Sequence, residues 1–542
     1  MSKKKELKKE QRDPNAPLEF EGQVLDNVHG FISYTEAEGK IMATRLFKRL
    51  QSIKQLSVVN WVFPGSEHTR YIHSLGVMHI ADKMAIAMKL ENRDRRILRM
   101  AGLLHDIGHY PLSHVGEMPY RNLKTSDGLM KITDPKEFCK AVNSEVVQKI
   151  EENQVKVKNT MMKPSDGLHH EWVGAEIIKN NEKIREIVEE ELGEGAAEVI
   201  ANIITGNVSD ASGAVMKTDP LWVQIMHSEL DADGIDYLMR DSLFAGTNFG
   251  SCEIDQLIRC LTVGIDPKSG ERIMCIKPKG IPAADQYLVN KFFHYSQVVF
   301  NRHITISEWM AQKVILWMQE HYLEVGEKWC FPDRARMKKW MSEGGPEAYL
   351  HFTDNQFWTA IEELSRKRKN VPEHIKRFCK YLINHEEPEL AKEDEIRIVS
   401  RDNERIKHAL KQSDTWNKPD TRDGWITILE SRTMSGQMRQ EEFDARMESR
   451  KEKDLVTELP EDAAKREAAL RNNKAVLDSI ERDRVFRLME CICVRERLEY
   501  DENKNEKPHV IRVLCDHERS IMQDNYNETI TILRSYNYLG KK

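Results

Sequence analysis

The chain has 542 residues, 40% of them hydrophobic and 31% charged, with 82 basic against 88 acidic side chains and a formal net charge of −6. A globular protein of one large or several ordinary domains is expected, and a surface that coats polyanions over its whole extent is excluded. No apolar run approaches the ~20 residues of a membrane span, and the nine scattered cysteines are expected to be free thiols in a reducing cytoplasm.

Residues 1–20 begin MSKKKELKKEQRDP. The segment is basic and lacks an apolar stretch, so it reads as a disordered arm rather than a secretory signal. Residues 21–320 read as one helical core. Val77, Ile80, Ala81, Met84 and Met88 recur at spacings of three and four, and Ile97, Ala101 and Leu104 repeat the pattern. An insertion over 118–168, rich in Lys, Ser and Asp, reads as a mobile loop or small subdomain. Ile273, Met274, Cys275 and Ile276 predict a short strand closed off by Pro278, Gly280 and Pro282. Residues 321–542 read as a helical C-terminal region, regulatory or oligomerising. Within it 441–484 is very highly charged, and Pro460, Glu461 and Asp462 look like a helix start. Long solvated helices are expected there rather than a coiled coil, because apolar heptads are not sustained. The fold class predicted is mostly α, with few short strands.

Four pieces of sequence carry chemistry. They are His68-Thr-Arg70-Tyr-Ile-His73, His105-Asp106-Ile-Gly-His109 running on to His114, His169-His170-Glu171, and Asp231-Ala-Asp233-Gly-Ile-Asp236-Tyr237 running on to Arg240-Asp241. An isolated His73 is more often a packing histidine than a ligand, and a lone His-Asp pair is common. Here the pair ends an apolar helix pattern, and His109 and His114 follow within ten residues. Such a cluster is costly to bury without a partner, and a metal ion suits imidazole and carboxylate together. Asp233, Tyr237, Arg240 and Asp241 share one helical face; a solvated face with internal ion pairs is the bland alternative.

Together these pieces resemble the H…HD…D signature of the HD superfamily. The wording around Ile53-Lys54-Gln55-Leu56, Val62-Phe63-Pro64-Gly65-Ser66, Arg70 to Val77 and Ala101 to His109 is similar to the deoxynucleoside triphosphate (dNTP) triphosphohydrolases within it. The resemblance covers roughly residues 25–310. It implies that His73, His105, Asp106 and Asp233 hold a divalent metal (Mn, Fe, Zn or Mg), with Mg accompanying the nucleotide. It implies that His114, His109 and His170 stand near the scissile phosphate, with His114 protonating the leaving 5′-oxygen. It implies that Gln55 and Asp241 contact the deoxyribose 3′-hydroxyl, that Tyr237 lies under the sugar, and that Arg70 and Lys291 contact phosphate. The products would be a deoxynucleoside and inorganic triphosphate.

Two departures stand out. Gly234 replaces a lysine that follows the last metal aspartate in the vertebrate member. Ala43 and Gln51 stand where that enzyme reads an activating guanine nucleotide, which argues against GTP activation of that kind. The resemblance still implies an activating dNTP or NTP and a homo-oligomer, dimer or tetramer. Rival readings are another HD phosphohydrolase (a nucleotidase, or a cyclic-nucleotide or alarmone phosphodiesterase) and a non-catalytic nucleotide sensor. Nucleic-acid binding through 48–54 or 366–369 is disfavoured against a solvated face.

Overall fold

The computed structural model describes residues 13, 15–121, 134–151, 168–208, 216–266, 268–321, 331–366, 371–390, 395–400, 403–411, 425–434, 440–455, 463–496, 510–526 and 529–538. Most of the expected N-terminal arm and the Pro460 helix start lie outside these residues. No helix among them is long and apolar enough to cross a membrane.

The architecture is mostly helical, as the periodicity predicts. An antiparallel hairpin, Gly22–Asp26 paired with Gly30–Tyr34, comes first. Its turn is closed by Asp26, whose Oδ1 accepts the backbone N–H groups of Val28 and His29. The helix Glu36–Ala43 starts with a reciprocal cap between Thr35 and Glu38. The central helix Arg70–Ala87 packs against Asn92–Leu104 on one side and Ala232–Ala245 on another. Val77, Ile80, Ala81 and Met84, the stripe read from spacing, are fully buried. Ala232–Ala245 is capped by Asp231, which accepts from Gly234 N, and ends at the left-handed Gly246.

Residues from the hairpin to Tyr538 contribute to one contiguous hydrophobic cluster. Phe331, Tyr349, Phe352, Phe357 and Phe378 belong to it, so the chain after 320 packs into the core that also holds Leu50, Ile53 and Ile107. The predicted strand at 273–276 forms as Arg272–Ile276, antiparallel to Leu261–Ile265. Its other edge pairs in parallel with Cys493–Arg495, which in turn pairs with Ile511–Val513. A second sheet is built on Thr529–Asn537. One of its edges pairs with Trp425–Thr433, the other with Ile396–Ser400 and Glu389–Leu390. Helical periodicity gave no sign of these C-terminal strands. The charged stretch forms the helices Gln440–Asp454 and Ala463–Glu490, packed on each other through Phe443, Met447 and Val476. In the expected insertion, His114–Arg121 and Pro135–Glu151 are helices; 122–133 and 152–167 lie outside the described residues.

One close approach seats the 105–109 loop. A Cβ on Gly108 would lie 2.2 Å from both Gly174 N and His170 O, so only glycine lets this loop rest against the helix His170–Asn180. Gly108→Ala is expected to lower stability by about 1–3 kcal/mol through overpacking, read as a drop in denaturation midpoint at unchanged slope.

Candidate active site

His73, His105 and Asp106 present donor atoms that all lie within 4.8 Å of one another, and all three residues are buried. Asp233 stands at the rim of this trio: its Oδ1 is 2.9 Å from His73 Nε2 and 3.9 Å from His105 Nε2. The first contact is close but makes no directed hydrogen bond, and the Nε2 atoms of His73 and His105 are both buried without a hydrogen-bond partner. The far side of each ring is tied down. His73 Nδ1 donates to Asp236 Oδ2 at 2.7 Å, and His105 Nδ1 donates to Gly102 O at 2.8 Å. Both rings are thereby fixed with Nε2 turned inward, the usual arrangement around a metal-binding histidine. Two imidazoles and two carboxylates fit a divalent transition metal or Mg²⁺.

Asp106 sits at the middle of the site. Its Oδ2 accepts from Arg70 Nη1 at 2.8 Å. Its Oδ1 lies 3.4 Å from His105 Nε2, 3.8 Å from His109 Nε2 and 3.9 Å from His170 Nε2. Burial would raise this carboxyl, but Arg70 and the surrounding imidazoles hold it well below the usual range. Burial would likewise lower His73, yet the carboxylates of Asp233 and Asp236 raise it to about 10. A cation entering the site would therefore displace a proton. Burial pushes His105 down, which keeps its ring neutral.

The second group is His109, His114 and His170, with Glu117. Ring centroids lie 4.1 Å apart for His109–His170 and 4.8 Å for His109–His114. Burial, with Arg70 and His170 alongside, keeps His109 neutral, and neither of its ring nitrogens has a partner. Burial would also lower His170, but the carboxylates of Glu171 and Glu117 raise it to about 9. Glu117 is the residue that sequence reasoning missed. Fully buried, its carboxylate accepts from His114 Nδ1 at 2.9 Å and His170 Nδ1 at 3.2 Å, with His169 Nδ1 3.4 Å away. Burial would raise it, but those histidines hold it well below its ordinary value. The available signal was an acid one helical turn after His114. The His114 side chain is 60% exposed, so its Nε2 faces outward from this anchored edge.

The remaining predicted residues fall around these two groups. Arg70 is buried and directs Nε to Ser113 Oγ and Nη2 to Gln55 O, besides its bond to Asp106. Two of its five N–H groups remain. Gln55 is buried and its Oε1 has no partner. Asp241 is engaged on both oxygens, by His68 Nε2 at 2.8 Å and His294 Nε2 at 3.4 Å. Tyr237 is half-buried, 6.4 Å from His294 between ring centroids, and Lys291 Nζ lies 6.0 Å from its ring. Lys291 also reaches Glu229, at 3.4 Å from its carbonyl and 3.5 Å from its carboxylate.

Behind the centre, Asp236 accepts from Arg240 as well as His73, and Arg240 continues to Asp26 of the hairpin. His29 of the same hairpin reaches Asp236 Oδ1 at 2.5 Å. Asp236→Ala is expected to weaken Mn²⁺ binding by about 10–100-fold, the usual effect of losing an outer partner of a ligand, measured by calorimetric titration of the metal-free protein.

The profile of the HD domain family matches residues 70–231. An uncharacterized protein of Methanocaldococcus jannaschii is 28% identical over 366 residues, which are 67% of this chain and 61% of that protein. An uncharacterized protein of Bacillus subtilis is 25% identical over 308 residues, 56% of this chain and 57% of its own. The chain thus spans somewhat over half the length of these relatives. The human deoxynucleoside triphosphate triphosphohydrolase SAMHD1 is 38% identical over 99 residues, 17% of this chain and 16% of that protein. Two crystal structures share the fold. A hypothetical protein from Aquifex aeolicus has a TM-score of 0.56 at 18% identity, covering 95% of this chain and 96% of its own. A phosphohydrolase from Bacteroides thetaiotaomicron has a TM-score of 0.52 at 16% identity, covering 95% and 99%.

Proposed function

We propose, on the premise that residues 70–231 of this chain are an HD domain, that the protein is a metal-dependent phosphohydrolase cleaving dNTPs to deoxynucleoside and inorganic triphosphate. The observation that carries this reading is the pair of buried, partnerless Nε2 atoms on His73 and His105, facing the carboxylates of Asp106 and Asp233. These four residues would hold the ion. Bound there, a divalent cation supplies Lewis acidity toward a phosphate oxygen and makes water a nucleophile near neutral pH.

The other steps belong to the chain's own side chains. His114 donates a proton to the leaving 5′-oxygen. Glu117 fixes its Nδ1 edge, which leaves Nε2 to face the leaving group. The neutral His109 and the more basic His170 line the space beside Asp106. Arg70 offers its two remaining N–H groups to the triphosphate, and Lys291 adds a second positive charge. Gln55 presents an unpaired carbonyl to the sugar, and Tyr237 supplies an aromatic face beneath it. Similarity to SAMHD1 within the HD region supports the dNTP assignment. One observation favours a second reading, a different HD nucleotidase or phosphodiesterase: both oxygens of Asp241 are already engaged, which leaves less of it for a 3′-hydroxyl. The same proposal makes the protein a cytoplasmic homo-oligomer that a dNTP or NTP activates.

The test is a screen of each dNTP, alone and in pairs, with Mn²⁺, Mg²⁺ and Co²⁺, scoring triphosphate against orthophosphate. Triphosphate release is expected, and its complete loss in a His105→Ala, Asp106→Ala double variant that still folds. Release of orthophosphate alone, or turnover surviving in the double variant, rejects the assignment. A finer check uses Glu117→Gln. Losing the carboxylate that holds the Nδ1 edge of His114 should lower kcat about tenfold or more with KM little changed. Wild-type kcat in this variant rules out Glu117 as the partner of the proton donor.

A further inference from the structure

Leu112 and Ser113 immediately precede His114, and both have left-handed backbone, with φ of 58° and 56°. Two consecutive non-glycine residues in that region are costly and persist only where the surroundings hold them. The restraint comes from far along the chain. Asp354, first residue of the helix Asp354–Arg366, accepts Leu112 N–H on Oδ1 at 2.7 Å and Lys54 N–H on Oδ2 at 2.9 Å. Ser113 Oγ closes the ring by donating to Lys54 O at 2.6 Å, and it accepts from Arg70 Nε at 2.9 Å. One carboxylate therefore ties the residue before Gln55 to the turn before His114, on either side of Arg70 and Asp106.

A second tie runs parallel. The buried Arg49 guanidinium donates to the carbonyls of Ile107 and His109 and to Phe352 O and the Tyr349 hydroxyl. The segment from Tyr349 to Asp354 thus grips both ends of the 107–113 loop. Asp354 is buried, and burial raises its carboxyl to about 6; the two N–H bonds, Lys54 and Arg49 oppose that rise. An acceptor facing two backbone donors suits a carboxylate. An amide would set its own N–H against one of them.

We propose that Asp354, outside the segment that matches the HD family, is a positioning residue that sets His114 and Gln55 relative to the Arg70–Asp106 pair. The proposal rests on the hydrolase reading for what those residues do. Its geometric content, that Asp354 holds the 112–113 turn in its strained form, stands apart from that reading.

The experiment compares wild type, Asp354→Asn and Asp354→Ala by deuterium uptake, Mn²⁺ titration and steady-state kinetics on the best dNTP. Exchange in the 107–116 peptide should accelerate about tenfold or more while the 196–204 helix stays protected, since only a local restraint is lost. Mn²⁺ affinity should stay within about threefold, and kcat should fall about tenfold or more with KM little changed, more in Ala than in Asn. Wild-type kcat in both variants overturns the proposal, as does uptake that rises equally in both peptides, the mark of a purely structural role. If wild-type protein cleaves no dNTP, the substrate assignment fails by itself. Uptake at 107–116 then decides alone, and an unchanged rate there rejects the restraint.

Discussion

A buried negative charge has to be compensated where it stands, and the Asp106 carboxylate is the one around which this site is arranged. Arg70 meets one oxygen, and the rings of His105, His109 and His170 surround the other. An isolated carboxylate would cost several kcal/mol or more to bury. His105 and His109 add no protons to that compensation, because burial keeps both rings neutral. What remains is a carboxylate facing neutral imidazole lone pairs that have no donor, a combination that a cation would complete and that a hydrophobic core would not.

The layers outside the centre serve the same requirement. His73 can turn Nε2 inward only because Nδ1 is fixed by Asp236, and Asp236 can stay ionised at full burial only because Arg240 and His29 face it. Arg240 is in turn matched by Asp26 at the hairpin turn. Gly76 is part of this packing: a Cβ there would come within 1.9 Å of Asp236 Oδ1. The small N-terminal hairpin is thus coupled by a chain of charged hydrogen bonds to His73 on the central helix.

Sequence made the inner residues legible because each group is local. His105, Asp106, His109 and His114 fall within ten residues, and Asp233, Tyr237 and Asp241 share one face of a helix. Their convergence across more than one hundred residues was carried by resemblance rather than by spacing. Glu117 escaped because a single acid one turn from a histidine is ordinary on a solvated helix, and only its burial sets it apart. Arg49 and Asp354 escaped for a different reason: their partners lie up to 303 residues away in the chain, and no local pattern announces them. The C-terminal sheets were hidden because Thr529–Asn537 pairs with strands roughly a hundred residues or more earlier. In that interval the charged helices dominate the pattern.

The lysine expected after Asp233 shows what such a signature does and does not fix. Gly234 first reads as the loss of a positive charge. In the folded chain a Cβ at 234 would lie 2.5 Å from the Tyr287 hydroxyl and 3.8 Å from Lys291 Nζ. The volume a side chain would need there is filled by the helix Ile281–His294, which also brings a lysine to the same neighbourhood. Tyr287 could not stand where it does if residue 234 had a side chain, so the glycine and the aromatic residue constrain each other. Lys291 is anchored by Glu229 and flanked by the rings of Tyr237 and Tyr287. The cation nearest a side chain built at 234 is therefore one that the helix Ile281–His294 supplies, held there by its own neighbours rather than by the segment that carries Asp233.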